Sequence, residues 1–90
     1  MNRQHGWIGT AAYEAMVSVL VAARVNAGMT QHDLAGRLGG PQSKVAKIES
    51  RQRNVSLLEF LAIAKAIGVP PEDLIKRIAL AVEGAEAADQ

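Results

Sequence analysis

Half of the amide side chains and half of the cationic side chains of this sequence lie between residues 31 and 54. The chain has no Cys and only two His, His5 and His32, and neither stands in a metal-ligand spacing. Glu72 and Asp73 are neighbouring carboxylates, but residues one apart on a helix do not face each other. We therefore expect no enzyme, metal site or cofactor, but a surface that binds a partner through hydrogen bonds and charge.

The composition describes one ordinary globular domain of 90 residues, with 49% hydrophobic and 21% charged side chains. No stretch reaches the roughly 20 apolar residues that a membrane-spanning helix needs. The N-terminus carries one Arg and lacks the apolar segment of a signal peptide. We therefore expect a cytoplasmic protein that does not enter a membrane.

Five short helices are predicted from apolar residues that recur at intervals of three and four. They cover about residues 10–27, 31–38, 41–50, 57–67 and 71–82. We expect residues 1–9 to form an arm, residues 10–82 the domain, and residues 83–90 a short acidic tail that frays. The arm carries Trp7 and Ile8, which we expect to dock on the core or on a partner subunit.

Two segments have the pattern of a capping box, in which a hydroxyl residue and an acidic residue three positions later bond each other's backbone. Thr30 with Asp33 and Ser56 with Glu59 predict where the second and fourth helices begin. The residues of the fourth helix that we expect to face inward are Leu57, Phe60, Leu61, Ala64 and Ile67.

The second and third helices are separated by a turn of two or three residues that contains Gly, which is the geometry of a helix-turn-helix. Ala35 is small where the two helices would cross, and Gly39 tolerates the left-handed conformation that the turn needs. Val45 and Ile48 are the apolar pair that would hold the third helix in place. This spacing predicts an all-α fold with the opposite side of the third helix exposed.

The stretch from Met29 to Leu74 resembles the Cro/C1-type (XRE-family) helix-turn-helix regulators, which include the lambda-type phage repressors. The matching segments are MTQHDLA (29–35), QSKVAKIE (42–49) and EFLAIAKAIGV (59–69). The resemblance implies a compact five-helix, lambda-repressor-like bundle that binds double-stranded DNA sequence-specifically, usually as a homodimer on a pseudo-palindrome. We expect a repressor, because 90 residues leave no room for a separate activating domain.

The outer side of the third helix is predicted to read bases, because the N-terminal part of such a helix enters the major groove. Since Val45 and Ile48 face inward, Ser43 and Lys47 lie on the opposite side, with Gln42 at the N-terminal tip. Gln can pair with adenine and Lys can donate to guanine. Gln42, Ser43 and Lys47 are therefore the predicted contacts to base edges.

Contacts to the DNA backbone are predicted beside that helix. Gln31 starts the second helix, where free N–H groups favour an anion, and Lys44 points sideways from the third. The resemblance implies that Gln31 and the loop holding Arg51, Arg53 and Asn54 bind phosphates. The family often has Gly where this chain has Arg51, and a left-handed Arg costs about 1 kcal/mol. Either the helix ends differently here, or a phosphate contact offsets that cost.

Arg24 lies on the inner stripe of the first helix, where an unpaired cation is costly. Glu49 on the third helix is its expected partner, and such a pair would hold the recognition helix in place. Alternatively, Arg24 extends along its apolar stem to solvent.

The fifth helix carries more apolar residues than a small core can use. The residues predicted to form a homodimer face are Leu74, Ile75, Ile78 and Val82. An alternative function is the antitoxin of a toxin–antitoxin pair, which would bind a toxin and repress its own operon. A domain used only for protein contacts is a weaker alternative.

The net charge of +1 conceals an uneven distribution. Residues 1–54 hold seven basic and three acidic side chains, whereas residues 55–90 hold three basic and six acidic ones. The first part is therefore at +4 and the second at −3. The cationic side is the one that contains the predicted recognition helix, which favours a nucleic acid as its partner.

Overall fold

The structure, a computed structural model, describes residues 10–88 of the chain. Five helices form this part of the chain, and it contains no strand. They are α1 (Ala11–Asn26), α2 (Gln31–Leu38), α3 (Gln42–Glu49), α4 (Leu57–Ile67) and α5 (Pro71–Ala88). The predicted all-α, five-helix fold is confirmed. The arm with Trp7 and Ile8 lies outside the described residues.

The capping boxes start α2 and α4 at the predicted residues. Thr30 Oγ1 accepts the Asp33 N–H at 3.0 Å, and Asp33 Oδ2 accepts the Thr30 N–H at 2.9 Å. The backbone hydrogen bond from Thr30 lowers the pKa of Asp33, and its hydroxyl contributes in the same direction. Ser56 and Glu59 make the same reciprocal bonds, at 3.1 and 3.0 Å. These bonds satisfy N–H groups that the first turn of a helix leaves without a partner.

The core lies where α1, α2, α3 and α4 converge, and α5 packs along α1. Its least exposed members come from all five helices. They include Leu20, Leu34, Ala35, Val45, Ile48, Ile63, Ala64 and Leu74, none more than 4% exposed. Ala11 and Ala15 line a shallow groove together with Ala85 and Ala88, so the start of α1 lies beside the end of α5.

Two expectations about the helices are wrong. Leu57 and Leu61 do not face inward, since they are 70% and 42% exposed. Ile63 occupies the inner side instead, because Phe60, Ile63 and Ile67 form the stripe that meets the core. The predicted fraying tail is also helical as far as Ala88, where alanines favour the helix and Ala85 lies against α1.

No helix among residues 10–88 combines the length and the apolar character needed to cross a membrane.

Candidate nucleic-acid interface

The turn between α2 and α3 sets the angle of the exposed helix. Gly39 ends α2 with a φ of 77°, which Gly adopts without the strain that a Cβ would cause. Ala35, Val45 and Ile48 are all buried where α2 and α3 meet the rest of the bundle. With its inner side packed in this way, α3 leaves its outer side open to solvent.

The three predicted base-reading residues share this open side. Gln42 is the first residue of α3, Ser43 follows it, and Lys47 lies about one turn further along. All three side chains are exposed. They present an amide, a hydroxyl and an ammonium group, which together can donate to and accept from the edges of bases.

A chain of hydrogen bonds connects α1 to the tip of α3. Arg24 donates two hydrogen bonds to Glu49, from Nε to Oε2 at 2.7 Å and from Nη2 to Oε1 at 2.9 Å. Its Nη1 donates to the Met29 carbonyl at 2.7 Å. Both side chains are nearly buried, with 12% and 11% exposure. Glu49 Oε1 also accepts from Gln31 Nε2 at 2.9 Å, and Gln31 Oε1 accepts from Gln42 Nε2 at 3.4 Å. The bidentate geometry fixes α3 relative to α1 and orients both glutamines.

Two of the predicted phosphate-binding cations meet on one carboxylate. Lys44 Nζ lies 3.2 Å from Glu59 Oε2, and Arg53 Nη2 lies 2.7 Å from the same oxygen. The hydrogen bond from Arg53, followed by the backbone bond from Ser56, lowers the pKa of Glu59 to about 2. The bond to Glu59 in turn raises the pKa of Arg53. The sequence pattern assigned Glu59 only to a capping box, and nothing in its spacing indicated the two cations.

Tyr13 holds the loop that carries Arg53 and Asn54. Its hydroxyl accepts the Val55 N–H at 3.2 Å and donates to the Arg53 carbonyl at 3.5 Å, while its ring is buried. This role of Tyr13 was not predicted from the sequence. The available signal was the hydroxyl itself, because a buried Tyr needs a partner for that group.

Comparisons with known proteins agree with the helix-turn-helix fold. A family model described as Helix-turn-helix matches residues 20–74. An XRE-family like protein from Pseudomonas syringae pv. tomato str. DC3000 superimposes with a TM-score of 0.76 and 37% sequence identity, covering 88% of this chain and 96% of that one. The chain belongs to the XRE family of Cro/C1-type helix-turn-helix proteins. It is therefore a DNA-binding transcriptional regulator.

Two further structures resemble this XRE-family chain. The restriction-modification controller protein C.AhdI from Aeromonas hydrophila has a TM-score of 0.63 and 34% identity, covering 69% of this chain and 94% of that one. The clp gene regulator ClgR from C. glutamicum shares the fold, with a TM-score of 0.68 at 22% identity, over 76% of this chain and 88% of that one. No curated protein matches the chain.

Arg51 follows α3 of this XRE-family domain in the left-handed conformation, with a φ of 64°. The Gln52 N–H bonds the Lys47 carbonyl at 2.8 Å, and the Arg51 N–H bonds the Ile48 carbonyl at 3.1 Å. This is the Schellman pattern in which Gly usually occupies the left-handed position. The helix therefore does not end differently, and the strain at Arg51 remains. Arg51 Nη2 lies 3.8 Å from Glu14 Oε2 on α1, and both side chains are well exposed.

The predicted dimer face is corrected at one residue. Leu74 is fully buried in the core, because it anchors the first turn of α5 against the bundle, and it has no surface to offer a partner. Ile75 is 50% exposed. Ile78 and Val82 are half-buried in a groove between α1 and α5 of about 580 Å³, which Met16 also lines.

Proposed function

We propose that this XRE-family domain is a repressor that binds a pseudo-palindromic operator as a homodimer, with α3 in the major groove. The observation that carries the proposal is the linked set Arg24, Glu49, Gln31 and Gln42, which holds an exposed amide at the tip of α3. A side chain oriented before binding loses less entropy when it meets a base, and this supports recognition of sequence rather than charge alone.

In this proposal Gln42, Ser43 and Lys47 read base edges. Gln31 at the start of α2 bonds a phosphate, and so do Lys44, Arg51, Arg53 and Asn54 on and after α3. The two roles are assigned by position. The base-reading residues are exposed along the outer side of α3, and the phosphate-binding residues lie at its margins. Contacts of the second kind set register and affinity, whereas the first kind selects the sequence.

The dimer is proposed to form through leucines at the start of α4. Leu57, Leu58 and Leu61 are 70%, 78% and 42% exposed, and their spacing places them on one side of the helix. They follow directly after the loop of Arg53 and Asn54, so a twofold axis beside them would bring two α3 helices to the same face of the DNA. Two such helices need a separation of about 34–36 Å to enter successive major grooves. Ile75, Ile78 and Val82 remain the second candidate face.

The experiment that tests the proposal is selection of bound fragments from genomic DNA by the purified protein, followed by affinity measurements on the most enriched fragment. We expect Lys47→Ala to narrow the difference in affinity between that fragment and mixed-sequence DNA. Arg53→Ala should weaken binding to both and reduce the salt dependence. Absence of any enriched fragment at moderate salt, or equal loss on both DNAs for Lys47→Ala, would contradict sequence-specific reading by α3.

A further inference from the structure

Glu59 occupies an unusual position for a capping residue, because its carboxylate connects three parts of the binding face. Oε1 accepts the Ser56 N–H at 3.0 Å and so completes the cap of α4. Oε2 contacts Lys44 of α3 at 3.2 Å and Arg53 of the following loop at 2.7 Å. The two cationic nitrogens therefore lie no more than about 6 Å apart, although their residues are nine positions apart in sequence.

The three charged groups together carry +1, not the +2 of the two cations alone. The carboxylate is 21% exposed, whereas each cation is 39% exposed. Lys has three donors and Arg has five, so each cation retains N–H groups after bonding Glu59. Lys44 and Arg53 are thus held in fixed positions and remain accessible to solvent, while the carboxylate of Glu59 offsets half of their positive charge.

We propose that Glu59 is a positioning residue that gathers Lys44 and Arg53 onto a single backbone phosphate and restrains binding to DNA of arbitrary sequence. This inference rests on the proposed function. Two donors this close can bridge the oxygens of one phosphate when α3 is seated in the groove. Free cations on flexible stems would instead attract any nearby phosphate, because binding without sequence preference is almost entirely electrostatic. Glu59 lowers that attraction and holds Lys44 and Arg53 in one geometry for their contact with the phosphate.

Glu59→Gln separates the charge of this residue from its capping role. Gln is accepted at this position of a capping box, because its amide oxygen can still bond the Ser56 N–H. The charge-matched control is Glu83→Gln, which makes the same change in net charge at an exposed position of α5. Circular dichroism of both variants establishes that α4 and the bundle are retained.

The measurement is binding to a mixed-sequence duplex of about 20 base pairs, between about 50 and 200 mM salt. We expect Glu59→Gln to bind this duplex several-fold more tightly than the wild type at the lower salt. The slope of log affinity against log salt should steepen by about 0.9, as for one more neutralised phosphate. Affinity for the enriched genomic fragment should rise less, so that the specificity ratio falls. Glu83→Gln should change both affinities little and equally.

A second comparison tests whether Glu59 acts through the two cations. In a Lys44→Gln/Arg53→Gln background, Glu59→Gln still removes a negative charge near the DNA, but it should not steepen the slope of log affinity against log salt, because no cation remains there to neutralise a further phosphate. The inference is overturned if the two variants behave alike in the otherwise wild-type protein, or if Glu59→Gln steepens that slope equally in the Lys44→Gln/Arg53→Gln background. A wild-type protein that binds neither duplex would overturn the proposed function, and the inference with it, whereas wild-type binding with no response to Glu59→Gln overturns only the inference.

Discussion

Gln42 donates to Gln31 over 3.4 Å, so the first residue of α3 is hydrogen-bonded to the first residue of α2. Gln31 in turn donates to Glu49, the last residue of α3. The predicted phosphate contact and the predicted base contact are therefore parts of one hydrogen-bonded unit.

The first prediction concerns the coupling between these two glutamines. Gln31→Ala and Gln42→Ala should each weaken binding to the enriched genomic fragment, because each removes a proposed contact to DNA. Gln31→Ala also removes the hydrogen bond that orients the amide of Gln42. The double variant should lose less than the sum of the two, with a coupling energy of at least about 0.5 kcal/mol. A double-mutant cycle of dissociation constants measures it. Additive losses would show that the two amides bind DNA independently.

The second prediction concerns the pair of Arg24 and Glu49. Arg24→Met leaves a nearly buried carboxylate without its cation, so we expect a loss of about 3 kcal/mol in the free energy of unfolding. Arg24→Lys should recover little of this, because an ammonium cannot reproduce the two parallel contacts and the bond to Met29. Urea denaturation measures both variants. Arg24→Met/Glu49→Met should be more stable than Arg24→Met alone, and the opposite order would contradict the role assigned to the pair.

The third prediction concerns the strained residue after α3. Arg51→Gly should raise the free energy of unfolding by up to about 1 kcal/mol, because it removes the cost of a left-handed side chain. The exposed contact to Glu14 contributes little against this gain. Arg51→Ala is the control, since it loses the same contact but keeps the Cβ and should bring no gain. If Arg51 also binds phosphate, Arg51→Gly will lower DNA affinity while raising stability. Equal stability of the Gly and Ala variants would contradict the strain.

Periodicity and capping patterns predicted the helices well, because both depend on residues three and four apart. The boundaries of α2 follow from Thr30 and Asp33 at one end and Gly39 at the other. The contacts of Glu59 with Lys44 and Arg53 join residues from different elements, so they depend on how α4 packs against α3. No local pattern contains that information.

The leucines of α4 illustrate a different limit. Leu57 and Leu61 read as core residues because apolar side chains usually face inward, and only the packed structure shows that Ile63 takes the inner place. Leu74 shows the reverse error, since a residue assigned to a surface is fully buried. Hydrophobicity alone does not distinguish a core stripe from an interaction surface.

The fourth prediction is a pH dependence of stability that arises from Glu59. Its pKa is about 2 in the folded protein against an ordinary value of 4.5, so the folded state binds its proton less readily than the unfolded state. The stabilisation is therefore complete above about pH 4.5 and disappears as the pH falls towards 2. Thermal unfolding should show a smaller loss of Tm in this range for Glu59→Gln than for the wild type. Asp33 contributes in the same direction, and hence some acid sensitivity should remain. Parallel curves for the two proteins would contradict an ion-paired Glu59.

The fifth prediction distinguishes the two candidate dimer faces. Leu57→Gln/Leu58→Gln removes the most exposed apolar side chains of α4 without changing the net charge. The variant should remain folded, because neither residue belongs to the core, but it should become monomeric at concentrations where the wild type is dimeric. Ile75→Gln is the matched control on α5, where the side chain is 50% exposed.

Light scattering coupled to size-exclusion chromatography measures the mass of each protein. A wild-type dimer that survives the α4 variant and dissociates in Ile75→Gln would move the interface to α5. A wild type that is monomeric without DNA would require the two copies to assemble on the operator. In that case the measurement is the cooperativity of binding to the enriched fragment. The leucines of α4 form the interface only if their replacement lowers that cooperativity and leaves the binding of one copy to a half-site unchanged.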